Sequence, residues 1–309
     1  MLCILGPTAS GKTGLAVEFC QAGGHEIISV DSALVYKRMN IGTAKPDAET
    51  QRVAPHALID LIEPWETYSV ARFLVDIEDE INRIARAGQV PVLVGGTMLY
   101  FNALWKGLSS LPESNSETRE KIQREAESKG WQEMHQRLSV IDAVSAGKIH
   151  PNDPQRILRA LEVFELAGVP LSELQDNRSR NDYYDFFNIG LFPSDRALLH
   201  KRIEQRFTTM LKQDFADEVR SLMQLPEMNV NLTSMRCVGY RQMWSHLSDE
   251  CSEREMTDRA VAATRQLAKR QLTWMRRMEN LALFDVPAIL ESVVADAGYI
   301  LWRDKHKLN

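Results

Sequence analysis

The residues GPTASGKT, at positions 6–13, stand between the short apolar run Leu2–Leu5 and a segment with helical spacing, Lys12–Ala22. They match the pattern G-x-x-x-x-G-K-[ST], and a strand before it and a helix after it are the setting in which this pattern indicates a phosphate-binding loop. A glycine-rich turn with a buried threonine is the alternative, and it does not explain why every spacing is met. The stretch therefore predicts a phosphate site at the end of the first strand.

The chemistry of such a loop requires these residue types. Glycines let successive backbone N–H groups turn toward one anion, and the helix N-terminus adds about half a positive charge. Lys12 is expected to reach the outermost phosphate, and the Thr13 hydroxyl to hold Mg²⁺, the one cofactor that we predict. The candidate phosphate-binding residues are Gly6, Pro7, Thr8, Ala9, Ser10, Gly11, Lys12 and Thr13.

The first hundred residues alternate between apolar runs and helical patterns. Predicted strands lie at Ile27–Val30, Leu58–Ile62 and Pro91–Val94, and Ser69 is placed to cap a long amphipathic helix. Alternation of this kind is typical of a parallel sheet with helices on both faces. The predicted fold class is α/β, with a core like that of P-loop NTPases.

A change in residue composition near residue 113 predicts a second domain. Residues 112–116 are loop-forming, and the next seventy residues are polar and helical, with Asp153 placed to cap a helix that Pro154 begins. Phe186–Phe192 then resembles a strand that returns to the sheet. We therefore predict a catalytic core, 1–112 and 186–309, and an all-helical insertion, 113–185. A long helix is expected from about residue 195 to 223.

One acidic residue stands at the tip of a predicted strand. A motor-type NTPase needs a carboxylate at the end of a second apolar strand, yet Pro91–Val94 is followed by Gly-Gly-Thr. The acid is instead Asp31, after Ile27–Val30, where ligands of open parallel sheets bind. It is available as a base, although capping of the following turn is the other interpretation.

The overall composition gives little sign of a nucleic-acid partner. The formal charge is −5, and 44% of the 309 residues are apolar, as in ordinary globular proteins. Four scattered cysteines offer no disulfide framework or zinc pair, so a reducing cytoplasm is expected. No stretch has the length and apolar character of a membrane span or of an export signal.

Positive charge is nevertheless concentrated in one segment. Residues 259–277 contain six basic side chains and no acidic one, with Trp274 among them, which favours contact with a polyanion over a solvated helix face. Residues 236–241 and 155–159 form two weaker basic groups, and Arg159 could simply pair with Glu162. The basic residues of the segment are Arg259, Arg265, Lys269, Arg270, Arg276 and Arg277. Arg202 and Arg206 could clamp a phosphate or pair with acids such as Glu204.

Seven blocks of the chain, in order, resemble bacterial tRNA dimethylallyltransferases. They are GPTASGKT (6–13), ISVDSALVYKRMNIGTAKP (28–46), VGGTMLYFNAL (94–104), HPNDPQRILRALEVF (150–164), RIEQRF (202–207), RCVGYRQMW (236–244) and ATRQLAKRQLTW (263–274). The resemblance implies transfer of a prenyl group from dimethylallyl diphosphate to N6 of adenosine 37, next to the anticodon, in tRNAs that read codons starting with U.

The resemblance also implies roles for single residues. Asp31 would accept the proton of the N6 amine, while Lys12, Thr13 with Mg²⁺, and Arg206 would hold the departing diphosphate. Thr97 would contact the incoming nucleotide. A monomer that grips the anticodon stem-loop, with the insertion as a movable clamp, is expected. The implied tRNA contacts are Asp31, Ser32, Ala33, Leu34, Thr97, Arg119, Gln155, Arg156, Ile157, Leu158, Arg159, Arg236, Cys237, Val238, Gly239, Tyr240, Arg241, Lys269, Arg270, Gln271, Leu272, Thr273, Trp274, Met275 and Arg276.

Three other functions share part of this pattern. A small-molecule or nucleotide kinase would have the same loop and sheet but leaves the acid-free segment 259–277 unexplained. An isopentenyltransferase acting on free adenine nucleotides would not need so large an insertion. A non-catalytic RNA-binding protein with a phosphate loop is the third alternative.

Overall fold

The computed structural model describes residues 1–109, 111–175, 184–286 and 290–306. The chain forms two compact units: a core unit, residues 1–102 and 183–309, and a helical unit, residues 103–182. The boundaries 113 and 185, chosen from loop chemistry, stay a prediction of where an independent insertion would begin and end.

The core unit is built on a six-stranded sheet in which every pair of neighbouring strands is parallel. The strands are β1 (Leu2–Leu5), β2 (His25–Val30), β3 (His56–Ala57), β4 (Val90–Gly95), β5 (Phe187–Leu191) and β6 (Leu281–Phe284). Their spatial order is β3-β2-β4-β1-β5-β6, so β1 lies between β4 and β5. The predicted α/β class is confirmed. The edge strand β6 was not among the strands predicted from the sequence.

Helices precede and follow the helical unit along the chain. Those before it are α1 (Lys12–Ala22), α2 (Ala48–Val53), α3 (Val70–Arg86) and α4 (Met98–Lys106), which reaches past residue 102. Ser69 caps α3 as expected, its Oγ accepting from the backbone N of Arg72 at 3.1 Å. Phe73, Ile77 and Ile81 on the buried stripe of α3 are at most 3% exposed, which holds this helix on the sheet by apolar burial.

The helical unit has its own apolar core. Its helices are α5 (Ser116–Lys129), α6 (Trp131–Ile141), α7 (Ala143–Lys148), α8 (Pro154–Ala167) and α9 (Leu171–Gln175). Asp153 Oδ1 accepts from the backbone N of Arg156 at 3.2 Å, and Pro154 is the first residue of α8, as predicted. Buried Ile122, Leu138 and Leu161 belong to one cluster that joins three of these helices. The unit is therefore all-helical throughout its described residues.

The chain then returns to the core unit. After β5 come α10 (Arg196–Lys212), α11 (Phe215–Met223), a short 3₁₀ turn at Ser234–Arg236, α12 (Tyr240–Leu247) and α13 (Glu253–Met275), and after β6 come α14 (Leu290–Val294) and α15 (Ala297–Lys305). The buried side chains of Val293 and Trp302 pack in the cluster that contains β1 and α1. The last two helices therefore cover the same face of the sheet as α1.

Two predicted elements are wrong in extent. The segment Leu58–Ile62 is not a strand. Leu58 and Asp60 adopt φ angles of 60° and 53°, so the extended backbone ends after the two residues of β3. Ile62 forms an isolated bridge to Tyr36. The long helix expected over 195–223 is divided between α10 and α11 at Asp214, whose φ is 63°. Left-handed backbone of this kind ends a right-handed helix, and nothing in the local hydrophobic pattern indicates it.

Candidate active site

The carboxyl ends of β1, β2 and β4 stop at the same level of the sheet. Gly95, the last residue of β4, pairs with Leu5 of β1 on one side and with Val30 of β2 on the other. The loops that follow these strands open into one cavity of about 570 Å³. The cavity is lined by Thr8, Lys12 and Thr13, by residues 31–34, by residues 94–99, by Arg206 of α10, by residues 236–238, and by Arg270, Gln271 and Trp274 of α13. Most of the site residues predicted for the core unit are brought together here.

The loop after β1 has the backbone of an anion nest. Ala9 and Gly11 adopt positive φ angles of 63° and 91°, which turns successive N–H groups toward one side. Ser10 is fully buried, and its N–H donates to the carbonyl oxygen of Pro7 at 3.3 Å. A Cβ on Gly6 would lie 2.5 Å from Ser10 Oγ, so close packing inside the loop requires glycine there. The loop therefore has the backbone conformation of an anion nest, as the predicted phosphate site requires.

Two partly buried cations, Lys12 and Arg206, contact residues of this loop. Lys12 Nζ donates to the carbonyl oxygen of Pro7 at 3.3 Å, and an Arg206 Nη lies 3.4 Å from Thr8 Oγ1. Burial lowers the pKa of Lys12 to about 8; the Asp31 carboxylate opposes this shift and the Arg206 guanidinium adds to it. Burial also lowers the pKa of Arg206, again against the effect of Asp31. An anion bound between these two groups would relieve both desolvation and like-charge repulsion.

The alternative pairing of Arg206 with Glu204 does not occur. Glu204 forms its ion pair with Arg265 of α13 instead. Within the described part of the chain, no acidic group lies within salt-bridge distance of Arg206. Its charge is therefore left for the cavity, as the phosphate-clamp interpretation requires.

Asp31 caps the turn that follows β2 and also lines the cavity. Its Oδ1 accepts from the backbone N of Ala33 at 2.9 Å, so it does shape the turn that follows β2. It also lines the cavity and acts electrostatically on Lys12 and Arg206. Among the described residues, no hydrogen bond to Oδ2 occurs, which leaves that oxygen free to accept from a ligand.

The turn after β2 is fastened to the end of β4. Thr97 Oγ1 accepts from the backbone N of Ser32 at 3.0 Å, and the Thr97 N–H donates to the carbonyl oxygen of Val30 at 3.3 Å. The strands approach so closely that a Cβ on Gly95 would lie 1.9 Å from the Val30 oxygen. Thr97, predicted as a nucleotide contact, therefore holds the carboxylate turn in place.

Gln271 has a structural role that sequence reasoning missed. Its side chain is 8% exposed, its Oε1 accepts from the backbone N of Thr8 at 2.9 Å, and its Nε2 donates to the carbonyl oxygen of Gly96 at 2.9 Å. One amide thus ties the phosphate loop to the end of β4 and both to α13. The sequence placed Gln271 in a run of basic residues, and no local signal distinguished it from them.

Glu218 of α11 is a second residue that the sequence did not mark. Its carboxylate accepts from the backbone N–H groups of Asn40 and Ile41, both at 2.8 Å, and from the Tyr240 hydroxyl at 2.6 Å. Burial, with Glu218 nearby, raises the pKa of Tyr240, which is fully buried. The Tyr240 ring is therefore unavailable for stacking on a base, and it anchors the wall of the cavity instead. An acidic residue on an amphipathic helix gives no sequence signal for such a contact.

Residues 236–241 lie partly in the wall of the cavity and partly on the surface outside it. Arg236, Cys237 and Val238 line the cavity, whereas Arg241 is exposed beyond it. Gly239 precedes α12 with a φ of 96°, a conformation that favours glycine. Burial, then the nearby Asp31 carboxylate, raises the pKa of Cys237 to about 12, so this thiol stays protonated and unreactive at neutral pH.

Two different sides of helix α13 line two depressions of the core unit. Arg270, Gln271 and Trp274 face the cavity, and Trp274 is 42% exposed. Buried Leu272 and Met275 pack inward. A separate depression, which we call the α10–α13 groove, is lined by Arg196, Leu199, His200, Ala262, Arg265, Gln266, Ala268, Lys269, Leu272 and Arg276. Thr273 donates through its hydroxyl to the carbonyl oxygen of Lys269 at 2.9 Å.

Two of the predicted RNA contacts of the helical unit, Arg119 and Arg159, are engaged within that unit. Glu162, fully buried, accepts from an Nη of Arg119 at 3.1 Å and from an Nη of Arg159 at 2.8 Å. Burial acts to raise the pKa of Glu162, but hydrogen bonds led by that from Arg159 outweigh it and keep this pKa below its usual value. The pairing of Arg159 with Glu162 that the sequence left open is thus present.

The other residues of the stretch 155–159 are partly buried and partly exposed. Ile157 is fully buried and Leu158 is 5% exposed, so both serve the core of the helical unit. Gln155 is exposed, and Arg156 is exposed beside Asp153, to which it pairs at 3.1 Å. A contact of this stretch with RNA stays a prediction that would fall on its exposed polar side chains.

The core unit and its cavity define a class of protein. A phosphate-binding loop, two partly buried cations and a carboxylate at the carboxyl edge of a parallel sheet form the site of a P-loop-type enzyme acting on a phosphorylated ligand. No carboxylate follows β4, as a motor-type NTPase would need.

Comparison with known proteins identifies the family. The sequence profile of the family described as IPP transferase matches residues 34–278. The chain is 34% identical to the tRNA isopentenylpyrophosphate transferase of Bacillus halodurans, over 99% of this chain and 98% of that one, with a TM-score of 0.70. It is 32% identical to the tRNA delta(2)-isopentenylpyrophosphate transferase of Staphylococcus epidermidis, over 99% and 98%, with a TM-score of 0.68. The chain belongs to the IPP transferase family.

A further solved structure shares the fold. It is a eukaryotic dimethylallyltransferase acting on tRNA, 24% identical over 100% of this chain and 80% of that one, with a TM-score of 0.80. The family match supports a prenyl transferase and neither the kinase nor the enzyme for free nucleotides.

We expect Gln271→Leu to weaken pyrophosphate binding about tenfold, because the Thr8 N–H and the Gly96 carbonyl each lose a partner, at about 1–3 kcal/mol for a buried polar group. Isothermal titration calorimetry with Mg²⁺-pyrophosphate measures the effect. Gln205→Leu, at an exposed position of α10, is the matched control. Equal affinities for the two variants would mean that the bridge does not shape the loop.

Proposed function

We propose that this protein transfers the dimethylallyl group of dimethylallyl diphosphate to N6 of adenosine 37, next to the anticodon, in tRNAs that read codons starting with U. The observation that carries the proposal is the shared cavity, which is lined by Lys12 and Thr13 of the phosphate loop, by Arg206 and by Asp31. Relatives at 32–34% identity over nearly their whole length are named as isopentenylpyrophosphate transferases of tRNA.

The leaving group determines what the phosphate loop must do. The bond between the allylic carbon and the diphosphate oxygen breaks, and its electron pair leaves with the diphosphate. Preorganised donors stabilise charge that develops in this way, and here they are the N–H groups of Ala9, Gly11, Lys12 and Thr13, the ammonium of Lys12 and the guanidinium of Arg206. A P-loop can therefore serve a transferase that hydrolyses nothing.

Mg²⁺ fits the same place. The ion prefers oxygen ligands and usually takes one or two from the protein and the rest from phosphates and water. The Thr13 hydroxyl lines the cavity with Asp31 nearby, and no group of three or more His, Cys, Asp or Glu side chains in the described ranges forms a ready-made metal cage. When bound, Mg²⁺ would supply positive charge to the departing diphosphate.

Asp31 is the group placed to accept the proton. The N6 amine of adenosine is a weak nucleophile because its lone pair is delocalised into the ring, so removal of a proton as the carbon–nitrogen bond forms assists attack. The bond from the Ala33 N–H holds Oδ1, and Oδ2 is left for the amine. The proton then resides on the Asp31 carboxyl group until solvent removes it.

The acceptor base must reach this carboxylate. A base leaves its stack at a cost of a few kcal/mol, which backbone contacts and stacking on aromatic rings offset. Trp274, Arg236 and Arg270 line the cavity and are exposed, so they suit such contacts. We propose that these residues, with Gln155–Arg159 and Arg119 of the helical unit, bind the anticodon stem-loop, and that the protein acts as a monomer in the cytoplasm. In the described ranges, no helix is both long and apolar enough to cross a membrane.

The reaction is tested by mixing the protein with unmodified tRNA, Mg²⁺ and either dimethylallyl diphosphate or ATP, and then weighing the nucleosides after digestion. We expect a five-carbon gain on one adenosine with the diphosphate alone, and none in a transcript that carries guanosine at position 37. Phosphate transfer from ATP, or a gain on free AMP but not on tRNA, would contradict the proposal.

Asp31→Asn should lower kcat by about 10²- to 10⁴-fold, the usual worth of a general base, with tRNA affinity nearly unchanged. The asparagine oxygen still accepts from the Ala33 N–H, so the turn is preserved and only the proton acceptor is lost. Single-turnover kinetics and tRNA binding separate the two effects. Full activity of Asp31→Asn together with inactivity of Asp31→Ala would assign the residue to the turn alone.

The lowered pKa of Lys12 predicts a pH dependence. Because its ammonium loses the proton above about pH 8, kcat/KM for dimethylallyl diphosphate should fall about tenfold from pH 7 to pH 9, as expected for one essential acid in the free enzyme. Steady-state rates at saturating tRNA test this. Lys12→Arg, which stays charged, should flatten the alkaline limb even if its overall rate is lower; an unchanged limb would mean that another group titrates.

A further inference from the structure

Two buried polar atoms in residues that line the catalytic cavity have no hydrogen-bond partner among the described residues. They are Oγ of Ser29, on β2, and Nε2 of His56, on β3. Ser29 as a whole is 3% exposed. Burial of a polar group without a partner is unfavourable, and unpaired groups of this kind in the wall of a cavity indicate a ligand that pairs with them.

The imidazole of His56 is held with Nε2 as its acceptor atom. Nδ1 lies 2.7 Å from the carbonyl oxygen of Ala54, and only a protonated Nδ1 can donate to that oxygen. Burial lowers the pKa of His56, and the hydrogen bond to Ala54 opposes this shift only in part, so the ring is neutral at neutral pH. The single ring proton is therefore on Nδ1, and Nε2 needs a donor.

Ser29 and His56 lie on the face of the sheet that α1 covers. His56 is the register partner of Ile27, and because side chains alternate along a strand, His56, Ile27 and Ser29 point to one face. Ile27 packs in the same apolar cluster as Leu15 of α1. Thr13, in the first turn of α1, lines the cavity together with Ser29 and His56. The two unpaired atoms therefore belong to the side of the cavity where the Thr13 hydroxyl is proposed to hold Mg²⁺.

The water shell of a Mg²⁺ ion has the hydrogen bonds that these two atoms need. Mg²⁺ prefers oxygen ligands and keeps several water molecules, so a nitrogen such as Nε2 of His56 is better suited to contact the ion through water than directly. Water bound to a cation directs its hydrogens outward and requires acceptors. The imidazole nitrogen and the Ser29 hydroxyl oxygen are both acceptors, whereas the apolar dimethylallyl group could pair with neither.

We infer that Ser29 and His56 bind the water molecules of the Mg²⁺ ion that Thr13 and the diphosphate hold. They are positioning residues, because they act on the leaving group only through the hydrated ion. Groups in this position orient a metal site and tune its affinity. The inference rests on the proposed Mg²⁺ site at Thr13 and deepens it by adding residues of two other strands, which no sequence motif marks.

The test is pyrophosphate binding to the full-length protein, measured by isothermal titration calorimetry with excess MgCl₂ and again with EDTA. The ratio of the two affinities reports the coupling between Mg²⁺ and pyrophosphate. Ser29→Ala and His56→Leu should each lower this ratio about 10- to 100-fold, the usual loss when an outer partner of a metal site is removed, and should leave the affinity in EDTA unchanged. His56→Gln, whose side-chain oxygen can still accept, should retain more of the ratio than His56→Leu. Ser139→Ala, at an exposed position of α6, is the control and should retain all of it.

An unchanged ratio in both Ser29→Ala and His56→Leu would overturn the inference, even if the wild-type protein modifies tRNA, and would assign the two atoms to ordinary solvent. Equal losses of affinity with MgCl₂ and with EDTA would also overturn it, because they would indicate support of the cavity wall. Pulsed EPR of the Mn²⁺-pyrophosphate complex that shows a directly bound nitrogen, absent in His56→Leu, would make His56 an inner ligand and exclude contact through water.

The outcome for the Mg²⁺ site is separate from that for the proposed function, because the calorimetry uses neither tRNA nor a prenyl donor. A ratio that depends on Ser29 and His56 in a protein that adds no five-carbon group to tRNA would sink the proposed function and leave this inference standing.

Discussion

The alignment of three parallel strand ends is the constraint on which the site depends. Leu5, Val30 and Gly95 are register partners in the sheet, so the loops after β1, β2 and β4 begin at one level. The approach is so close that only glycine fits at position 95. Because of this geometry, a phosphate loop, a carboxylate turn and a threonine anchor open into one cavity rather than three.

Polar contacts then turn this alignment into a rigid site. Gln271 joins the phosphate loop to the end of β4, Thr97 joins the carboxylate turn to the same strand, and Glu218 fastens the loop at 40–42 to Tyr240. An amide or carboxylate whose hydrogen bonds are all made favours a single arrangement, because any slip would leave groups unpaired. The cations of the site can therefore be held close together, and their desolvation is offset when an anionic ligand binds.

Charge in this protein is organised locally. The formal net charge of −5 conceals a helix, α13, whose two sides carry basic residues toward two different places. One side faces the cavity with Arg270 and Trp274, and the other meets α10. In the helical unit, by contrast, Arg119 and Arg159 are partly neutralised by buried Glu162. The number of basic residues is therefore a poorer guide to RNA contact than the ion pairs that each basic residue already forms within the protein.

The sequence by itself determined the elements whose causes are local. The phosphate loop, the helix capped by Ser69, the start of α8 at Pro154 and the parallel α/β class all follow from motif, capping and hydrophobic period. The candidate base Asp31 could be found because it ends an apolar run. Only the tertiary structure decided that β3 is short, that Asp214 divides a long helix, that Gln271 and Glu218 hold the cavity together, and that α10 and α13 share a groove. These features depend on backbone torsions and on contacts between segments distant in the chain, for which no local pattern of residues is specific.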